Sequence, residues 1–508
     1  MPIPTPPPTP IAADSPLWPQ LCASLRGAAD DWVAASAASK GWRHLPGVLA
    51  EEWASGPLPV ARFLACLHAR LARREPALGP AEPVPGAPDL VRHRVLPLRA
   101  IHDPLLLHNH GAEIHVRRDA SPHRPAGANG QHALVLGAGN VTATPILDAL
   151  EYVFVRSAHV TLKLSPLHGA LLPVFTRALQ PLLASGHLTF ATGDASAGAA
   201  LARRPEFTAV HLTGSAATWA ALRGDPDVAR KELHGEVGCC TPVFVVPGRW
   251  REHELDHAAR QLAAFVATNG GATCLAPRLL LTAQAWPQRA TFLARIDAAM
   301  AALPARVPFH PGTRSHYEHA TGRSAPPDAL PPVLCRDRSR AEAAGLAAAE
   351  RFAPVLNELA LPGDGAAAFL AAATAFVGEA WFGALSAYVF SPPAMLRAEH
   401  AAIDAAIARL RHGTIAINTW TGLGYGLGTT PWGVPPGSPI ECGSGQVRNL
   451  TGTAVQRVVV RAPFRPFPLP PWLPHHRRGE QALRALTLHT LRPTLAGMLT
   501  VALHAVRS

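Results

Sequence analysis

The stretch "HALVLGAGNVTATPILDALEYVF", residues 132–154, decides the fold class. It opens with a short apolar run typical of a buried strand, passes through a glycine-containing turn, and continues with apolar residues at helical spacing. The same order returns downstream in "HVTLKLSPLHGALLPVFTRALQPLLASG" (159–186), "HLTFAT" (187–192) and "TAVHLTGS" (208–215). Strands that alternate with helices predict an α/β fold with a parallel, doubly wound sheet whose ligands bind at the carboxyl ends of the strands.

A second set of strand patterns follows residue 239. It comprises "TPVFVVPG" (241–248), "RLLLTA" (278–283) and "GTIAINTW" (413–420). Since the chain has 508 residues, more than one hydrophobic core is expected. We therefore predict two or three domains.

Composition argues against several classes of protein. The 7 cysteines are scattered without disulfide spacing, which indicates a reducing compartment such as the cytoplasm. The start "MPIPTPPPTP" lacks the regions of a signal peptide and is typical of a disordered lead. The net charge is +11, but the basic residues are dispersed rather than clustered with aromatic residues, so we predict no nucleic-acid partner.

The most apolar stretch, residues 366–390, is about as long as the roughly 20 residues of a membrane span. Gly378, Glu379 and Gly383 interrupt it, which favours a buried helix followed by a strand. Beyond residue 462, a proline-rich strap leads into an amphipathic segment interrupted at Pro493. We expect that segment to pack against the protein, and we predict no integral membrane span.

Two motifs suggest ligands. "HELDH", residues 253–257, matches the H-E-x-x-H zinc pattern, yet no third ligand is identifiable, so a solvated helix start is favoured and no metal is predicted. "LGAGNVTAT", residues 136–144, resembles a dinucleotide fingerprint at Gly137 and Gly139, but Thr142 holds the third glycine position. It indicates a ligand-facing loop without naming the ligand. No G-x-S-x-G motif supports a serine esterase.

The segment "ATNGGATCLAPR", residues 267–278, places a lone cysteine after a glycine pair. A catalytic thiol needs access, donors and a base, because at its ordinary pKa near 8.5 only a small fraction is thiolate at neutral pH. Gly270 and Gly271 would let the backbone approach a substrate, and Asn269 adds an amide. From these residues alone, Cys274 is either a core residue or a nucleophile.

Several segments in order, over about residues 105–460, resemble the aldehyde dehydrogenase superfamily. "NGGATC" resembles its N-x-G-Q-x-C signature, with Cys274 at the nucleophile, and "GEVGCCTP" resembles E-L-G-G-K-S-P, with Glu236 at the general base. Asn140 matches the amide that helps to hold the oxyanion. The segments "VLGAGNV", "TPVFVVPG" and "YGLGTTPWG" resemble most a divergent branch near bacterial acyl-CoA reductases.

Three further segments resemble the family's cofactor site: "TLKLSP" resembles V-L-K-P-S-E, "HLTGS" resembles F-T-G-S, and "ERFAPVL" resembles E-x-F-G-P-V. The resemblance implies contacts with the cofactor ribose, with its pyrophosphate at a helix start, and with the nicotinamide and its ribose, in that order. The implied cofactor-binding residues are Lys163, Ser165, Gly214, Ser215, Glu350 and Phe352.

The implied activity is NAD(P)-dependent oxidation of an aldehyde to a carboxylic acid. Cys274 would form a thiohemiacetal and then a thioester, which water activated by Glu236 would release. One alternative is an acyl-CoA reductase that uses the same cysteine, although retention of Glu236 favours hydrolysis. A second alternative is a catalytically degenerate scaffold, which the departures at Ala272 and Cys240 suggest.

Four departures from the family pattern bear on the chemistry. Ala272 replaces the usual glutamine, and the vicinal Cys239 and Cys240, interpreted as packing residues, replace glycine and lysine. Pro166 replaces the glutamate that often binds the adenosine ribose and repels a 2′-phosphate. Without that carboxylate, NAD and NADP are both expected to serve as cofactor.

The resemblance also implies a domain plan. We expect a disordered lead over residues 1–15, a Rossmann-type cofactor domain over 16–110 and 130–238, and an α/β catalytic domain over 239–450. A small β element over 111–129 and 451–465 would mediate a homodimer or homotetramer, and 466–508 would form the proline-rich strap and C-terminal helix. The expected partner is a small-molecule aldehyde.

Overall fold

The computed structural model of the chain describes residues 10–74, 78–98, 107, 109–119, 131–379 and 381–507. Its strands are β1 (Glu82–Val84), β2 (Ala87–Leu96), β3 (Gly111–Arg117), β4 (His132–Leu136), β5 (His159–Lys163), β6 (Leu188–Ala191), β7 (Ala209–Gly214), β8 (Glu232–Val237), β9 (Thr241–Val245), β10 (Pro277–Ala283), β11 (Val333–Cys335), β12 (Val355–Leu361), β13 (Ser386–Phe390), β14 (Thr414–Ile417), β15 (Trp432–Gly433), β16 (Gln446–Val447) and β17 (Val455–Arg461).

The α-helices are Leu17–Ser39, Val48–Ser55, Pro57–Leu71, Ala143–Phe154, Leu172–Ala178, Gln180–Ala184, Ala195–Arg203, Ala216–Gly224, Pro226–Ala229, Glu252–Ala267, Arg289–Ala301, Thr313–Thr321, Arg340–Ala347, Ala366–Glu379, Pro393–Ala398, His400–Arg409, Gly422–Gly426, Gly479–Leu491 and Leu495–Ala505. Short 3₁₀ segments lie at Pro166–Leu171, Thr268–Gly271 and Ile440–Cys442.

The opening stretch forms the centre of a five-stranded parallel sheet with the order β6-β5-β4-β7-β8. Successive residues of β4 face opposite sides, since Ala133 and Val135 belong to one core cluster and Leu134 and Leu136 to another. The first cluster includes the helices Leu17–Ser39 and Ala143–Phe154. The sheet is therefore covered on both faces, as the near-continuous apolar runs of its strands predict.

A ten-stranded sheet carries the second set of strands, with the order β1-β2-β3-β17-β14-β13-β9-β10-β12-β11. From β17 to β11 all neighbours are parallel. Beyond β17 the pairing is antiparallel, with β3 between β17 and β2. The predicted pairing of a strand near residue 111 with the strand at 451–465 is thus present, while the rest of the predicted hairpin, residues 120–129, lies outside the described residues.

The long apolar stretch forms the helix Ala366–Glu379 and then β13, as its glycines predict. Gly383 joins the two with a φ of +81°, where a Cβ atom would lie 2.5 Å from the Gly238 carbonyl oxygen, so only glycine fits. Across the described ranges, no helix is long and apolar enough to cross a membrane. The C-terminal segment forms two helices, Gly479–Leu491 and Leu495–Ala505, separated at Pro493 as expected.

Candidate active site

A cavity of about 290 Å³ lies at the carboxyl ends of β4, β7 and β8, where parallel sheets bind their ligands. Its wall combines loops of both large sheets with residues from the segments around 310, 350 and 420. Seven of the predicted site residues line it: Asn140, Gly214, Ser215, Glu236, Cys274, Glu350 and Phe352.

Cys274 lies on the loop between the 3₁₀ segment Thr268–Gly271 and β10, and it is half-buried at the cavity wall. Burial raises the pKa of its thiol well above the ordinary value, and the nearby carboxyls of Glu236 and Glu350 raise this pKa further. The Thr241 hydroxyl donates to the Cys274 carbonyl oxygen over 3.1 Å. The hydrogen bond holds the backbone at Cys274, and the thiol must lose its proton before it can act as a nucleophile.

The glycines before Cys274 have a different role from the one predicted. Gly270 and Gly271 have φ values of +61° and +75°, and a Cβ atom at Gly271 would lie 2.3 Å from the Ala353 carbonyl carbon. Neither glycine lines the cavity. The prediction that they let the backbone approach a substrate is thus wrong, because Gly271 packs against the backbone of residues 353–354 and Gly270 packs against the Trp42 ring.

We expect Gly271→Ala to lower the free energy of unfolding by about 2 kcal/mol or more, because alanine is strained at this φ and would overlap the 353–354 backbone. The matched control is Gly345→Ala within the helix Arg340–Ala347, where nothing lies within 4 Å. That change is expected to stabilise by about 0.5–1 kcal/mol. Urea unfolding of both variants measures the difference, and equal effects would contradict this account of Gly271.

Glu236 lies at the carboxyl end of β8 with a buried side chain. The Trp432 indole N–H donates to its Oε1 over 2.8 Å, while its Oε2 accepts no hydrogen bond from the described residues. Burial, reinforced by the charge of Asp148, raises the pKa of Glu236 to about 7. A carboxyl group with this pKa can both accept and release a proton near neutral pH, as a general base requires.

A buried polar cluster near Glu236 acts on the pKa of its carboxyl group. The Thr213 hydroxyl donates to Asp148 Oδ2 over 2.7 Å, and Arg448 Nη1 lies 3.4 Å from Asp148 Oδ1. His211 Nε2 is 3.3 Å from the same carboxylate. Trp432, Asp148 and Arg448 were not predicted from the sequence, although the aspartate inside the apolar run "PILDALEYVF" was a signal for Asp148.

The Trp432 hydrogen bond stabilises the ionised form of Glu236 and so lowers its pKa. We expect Trp432→Phe to raise this pKa and to move the rising limb of the kcat profile to higher pH. The pH dependence of kcat for wild type and variant measures the shift. An unchanged profile, or one displaced to lower pH, would show that the indole N–H does not tune the carboxylate.

Glu350 and Phe352 also line the cavity. Glu350 Oε1 accepts the Cys239 backbone N–H over 3.1 Å, and burial raises the pKa of Glu350 to about 7. The Phe352 backbone N–H donates to His316 Nδ1 over 3.1 Å, and the His310 ring lies 4.9 Å from the Phe352 ring. Both histidines line the cavity and were missed from sequence.

The vicinal cysteines beside Glu350 are fully enclosed. Burial raises the pKa of both thiols, to about 11 for Cys239 and beyond the usual range for Cys240. Cys239 packs in an apolar cluster with Leu385 and Trp432. These surroundings support the interpretation of the pair as packing residues, since buried thiols of this kind are poor nucleophiles.

Three of the predicted cofactor residues, Ser165, Gly214 and Ser215, are held in place at the start of a helical segment. The Ser215 hydroxyl accepts the Thr218 N–H over 3.2 Å and caps the helix Ala216–Gly224, so Gly214 and Ser215 open a helix as predicted. Ser165 caps the 3₁₀ segment Pro166–Leu171 and lies so close to Gly139 that a Cβ atom there would be 2.4 Å from the Ser165 hydroxyl.

Lys163 ends β5 with a buried side chain, and Asp194 is the acidic group that acts on its charge. Lys163 and Ser165 do not line the cavity around Cys274. They lie at the carboxyl end of β5, next to β4, so they belong to the same edge of the sheet at a greater distance from the thiol.

The "HELDH" motif belongs to a helix start. Glu254 Oε2 accepts the Arg251 backbone N–H over 2.7 Å, which forms a capping box at the helix Glu252–Ala267. His253 is exposed, whereas Glu254 and His257 are buried, so the predicted solvated start is only partly right. Burial lowers the pKa of His257 to about 4. Within the described parts of the chain, no group of three histidine, cysteine, aspartate or glutamate side chains could hold a metal ion.

The sequence profile of the aldehyde dehydrogenase family matches residues 154–315, which include Glu236 and Cys274. No curated protein matches the chain. The profile match and the fold confirm the predicted resemblance to this family.

Solved structures with the same fold include three dehydrogenases. Gamma-glutamyl-gamma-aminobutyraldehyde dehydrogenase from Burkholderia cenocepacia is 17% identical, with 88% of this chain and 83% of that chain covered and a TM-score of 0.57. GapN from Methanocaldococcus jannaschii, a glyceraldehyde-3-phosphate dehydrogenase complexed with NADP, is 12% identical with 88% of each chain covered and a TM-score of 0.58. A variant of aldehyde dehydrogenase C from Pseudomonas syringae with NAD+ and octanal is 15% identical, with 89% and 86% covered and a TM-score of 0.59.

The chain thus has the mixed α/β fold of the aldehyde dehydrogenases, as predicted. Over residues 154–315 its sequence is similar to the aldehyde dehydrogenase family.

Proposed function

We propose that this protein oxidises an aldehyde to a carboxylic acid with NAD or NADP as hydride acceptor. One observation carries the proposal: a cysteine thiol, two carboxyl groups of raised pKa and an amide come from separate segments of the chain and line one cavity. Titratable groups with strongly shifted pKa values in one cleft are typical of catalytic sites.

In the proposed mechanism, the Cys274 thiol releases its proton to solvent, and the thiolate attacks the carbonyl carbon of the aldehyde. The Cys274 backbone N–H and the Asn140 amide hold the resulting oxyanion, where one such donor is commonly worth about 10²- to 10³-fold in rate. Loss of hydride converts the thiohemiacetal into a thioester. Glu236 then removes a proton from water, which attacks the thioester and releases the acid.

The residues present suit a dinucleotide. The helix Ala216–Gly224 begins at the cavity, and a helix N-terminus is a favourable place for a pyrophosphate. Lys163 and Ser165 would hold the adenosine ribose, and Glu350 and Phe352 would hold the nicotinamide end. The cofactor supplies hydride acceptance, and these residues orient it toward Cys274. Three solved structures of this fold are described as complexes with NAD or NADP.

We expect kcat/KM values for NAD and NADP within about tenfold of each other, because Pro166 offers no carboxylate to repel the 2′-phosphate. Asp194, the acidic group near Lys163, caps the helix Ala195–Arg203 by accepting the Ala197 N–H over 3.0 Å. Initial rates with each cofactor under identical salt conditions measure the ratio. Strict dependence on NAD would contradict the prediction.

The test of the function measures NAD(P)H formation with aliphatic and aromatic aldehydes, with and without CoA, and identifies the product by mass. Free carboxylic acid without CoA is the expected result. Turnover only with CoA, together with an acyl-CoA product, would instead support the acyl-CoA reductase reaction. Absence of both turnover and cofactor binding would favour a degenerate scaffold.

A further inference from the structure

A buried ionic network joins the N-terminal helices to the loop of Cys274. Lys40 Nζ lies 2.6 Å from Glu52 Oε1 and donates to Asn269 Oδ1 over 2.9 Å. The side chains of Lys40 and Glu52 are only 4% and 3% exposed. Burying such a pair has a high desolvation cost, so its placement against Asn269 calls for an explanation beyond stability.

Asn269 connects this network to both loops of the proposed oxyanion hole. Its Nδ2 donates to the Asn140 carbonyl oxygen over 2.9 Å and to the Ala272 carbonyl oxygen over 2.8 Å. The first acceptor follows β4 of the five-stranded sheet, and the second precedes Cys274 and leads into the ten-stranded sheet. One buried amide therefore spans the two loops.

The main chain of Asn269 is held as firmly as its side chain. Its backbone N–H donates to Glu51 Oε2 over 3.0 Å, and Glu51 forms a two-point ion pair with Arg306 at 2.8 and 2.6 Å. Asn269 has a φ of +54°, a left-handed conformation that asparagine tolerates better than most residues. The network thus fixes both the position and the orientation of the amide.

We infer that Lys40 and Asn269 are positioning residues that set the spacing between Asn140 and the Cys274 backbone N–H. The inference rests on the proposed function insofar as those two groups hold an oxyanion. Lys40 orients the amide by donating to its oxygen, and the amide then links the two loops through its nitrogen. A misplacement of about 1 Å in such a site can cost about 10²-fold in rate.

The test compares two reactions of Cys274 without cofactor. Acylation by 4-nitrophenyl acetate passes through an oxyanion, whereas alkylation by iodoacetamide does not. We expect Lys40→Met to slow acylation by about 10²-fold and to leave alkylation within about twofold of wild type. Lys40→Arg, which restores a cation and donor, should recover part of the acylation rate.

Two further variants separate positioning from general damage. Arg289→Met removes a cation from another pair with a buried carboxylate, Glu358 at 2.7 Å, and should leave the ratio of acylation to alkylation at the wild-type value. Asn269→Gly keeps the left-handed turn and the Lys40–Glu52 pair but removes the amide. It should lower the ratio as Lys40→Met does, and it serves as the test if Lys40→Met does not fold.

The inference is overturned if the two reactions slow equally, if neither slows, or if wild-type Cys274 is not acylated by the ester. A selective loss of acylation supports it. Should wild type acylate readily but oxidise no aldehyde, the proposed function fails while the positioning role stands, so the two claims are tested separately.

Discussion

Cys274→Ala is expected to lower kcat/KM for aldehyde oxidation by at least about 10⁴-fold, as loss of a covalent nucleophile commonly does. Cys274 lines the cavity, and the nearby carboxyl groups of Glu236 and Glu350 raise the pKa of its thiol. Alanine is smaller and has no nucleophilic atom, so the fold should persist while the thiohemiacetal cannot form. Steady-state NAD(P)H formation measures the loss.

Two controls accompany this prediction. Cofactor binding, measured by calorimetry, should be retained in Cys274→Ala because its proposed contacts lie elsewhere. Cys335→Ala changes another half-buried cysteine, in β11, and should leave kcat/KM close to the wild-type value. Appreciable oxidation by Cys274→Ala would reject the nucleophile assignment.

Glu236→Gln is expected to lower steady-state turnover by about 10²- to 10⁴-fold, the usual contribution of a general base. Glutamine keeps the shape of the side chain and can still accept the Trp432 N–H, but it cannot take a proton. If release of the acid limits turnover, a rapid first formation of NAD(P)H, at most one per subunit, should precede the slow phase. Stopped-flow absorbance distinguishes the two phases.

The pH dependence of kcat should differ between wild type and Glu236→Gln in a definite direction. Since the pKa of Glu236 is about 7, the group is protonated and inactive as a base below that pH, and wild-type kcat should rise through pH 7 to a plateau. Glu236→Gln should lack this rising limb. A variant with the wild-type rate and pH profile would show that another group activates water.

The parallel sheets could be predicted because they depend on local pattern, and much of the candidate site was implied by the resemblance to the aldehyde dehydrogenases. The strand pattern "HALVL" forms β4, and the helix pattern "PILDALEYVF" lies in the helix Ala143–Phe154. The motif residues Glu236, Cys274 and Glu350 line one cavity. Ligand-facing residues follow strand ends, and strand ends can be located from apolar runs and turn residues.

The remaining features depend on contacts between distant segments. Lys40 reaches Asn269 across 229 positions, and Trp432 reaches Glu236 across 196, so no local pattern reports either contact. The role of Gly271 was misjudged for the same reason, because its neighbour Ala353 comes from another part of the chain. "HELDH" matched a zinc pattern, but the Glu254 side chain accepts the Arg251 backbone N–H in the capping box of its own helix.

The most direct test of the account is mass spectrometry of Glu236→Gln after incubation with an aldehyde and NAD. We predict an acyl group, added as a thioester, on the peptide that contains Cys274; it should be removable by hydroxylamine and absent when the cofactor is omitted. An unmodified Cys274 under conditions in which NADH has formed, or an acyl group on another cysteine, would contradict it.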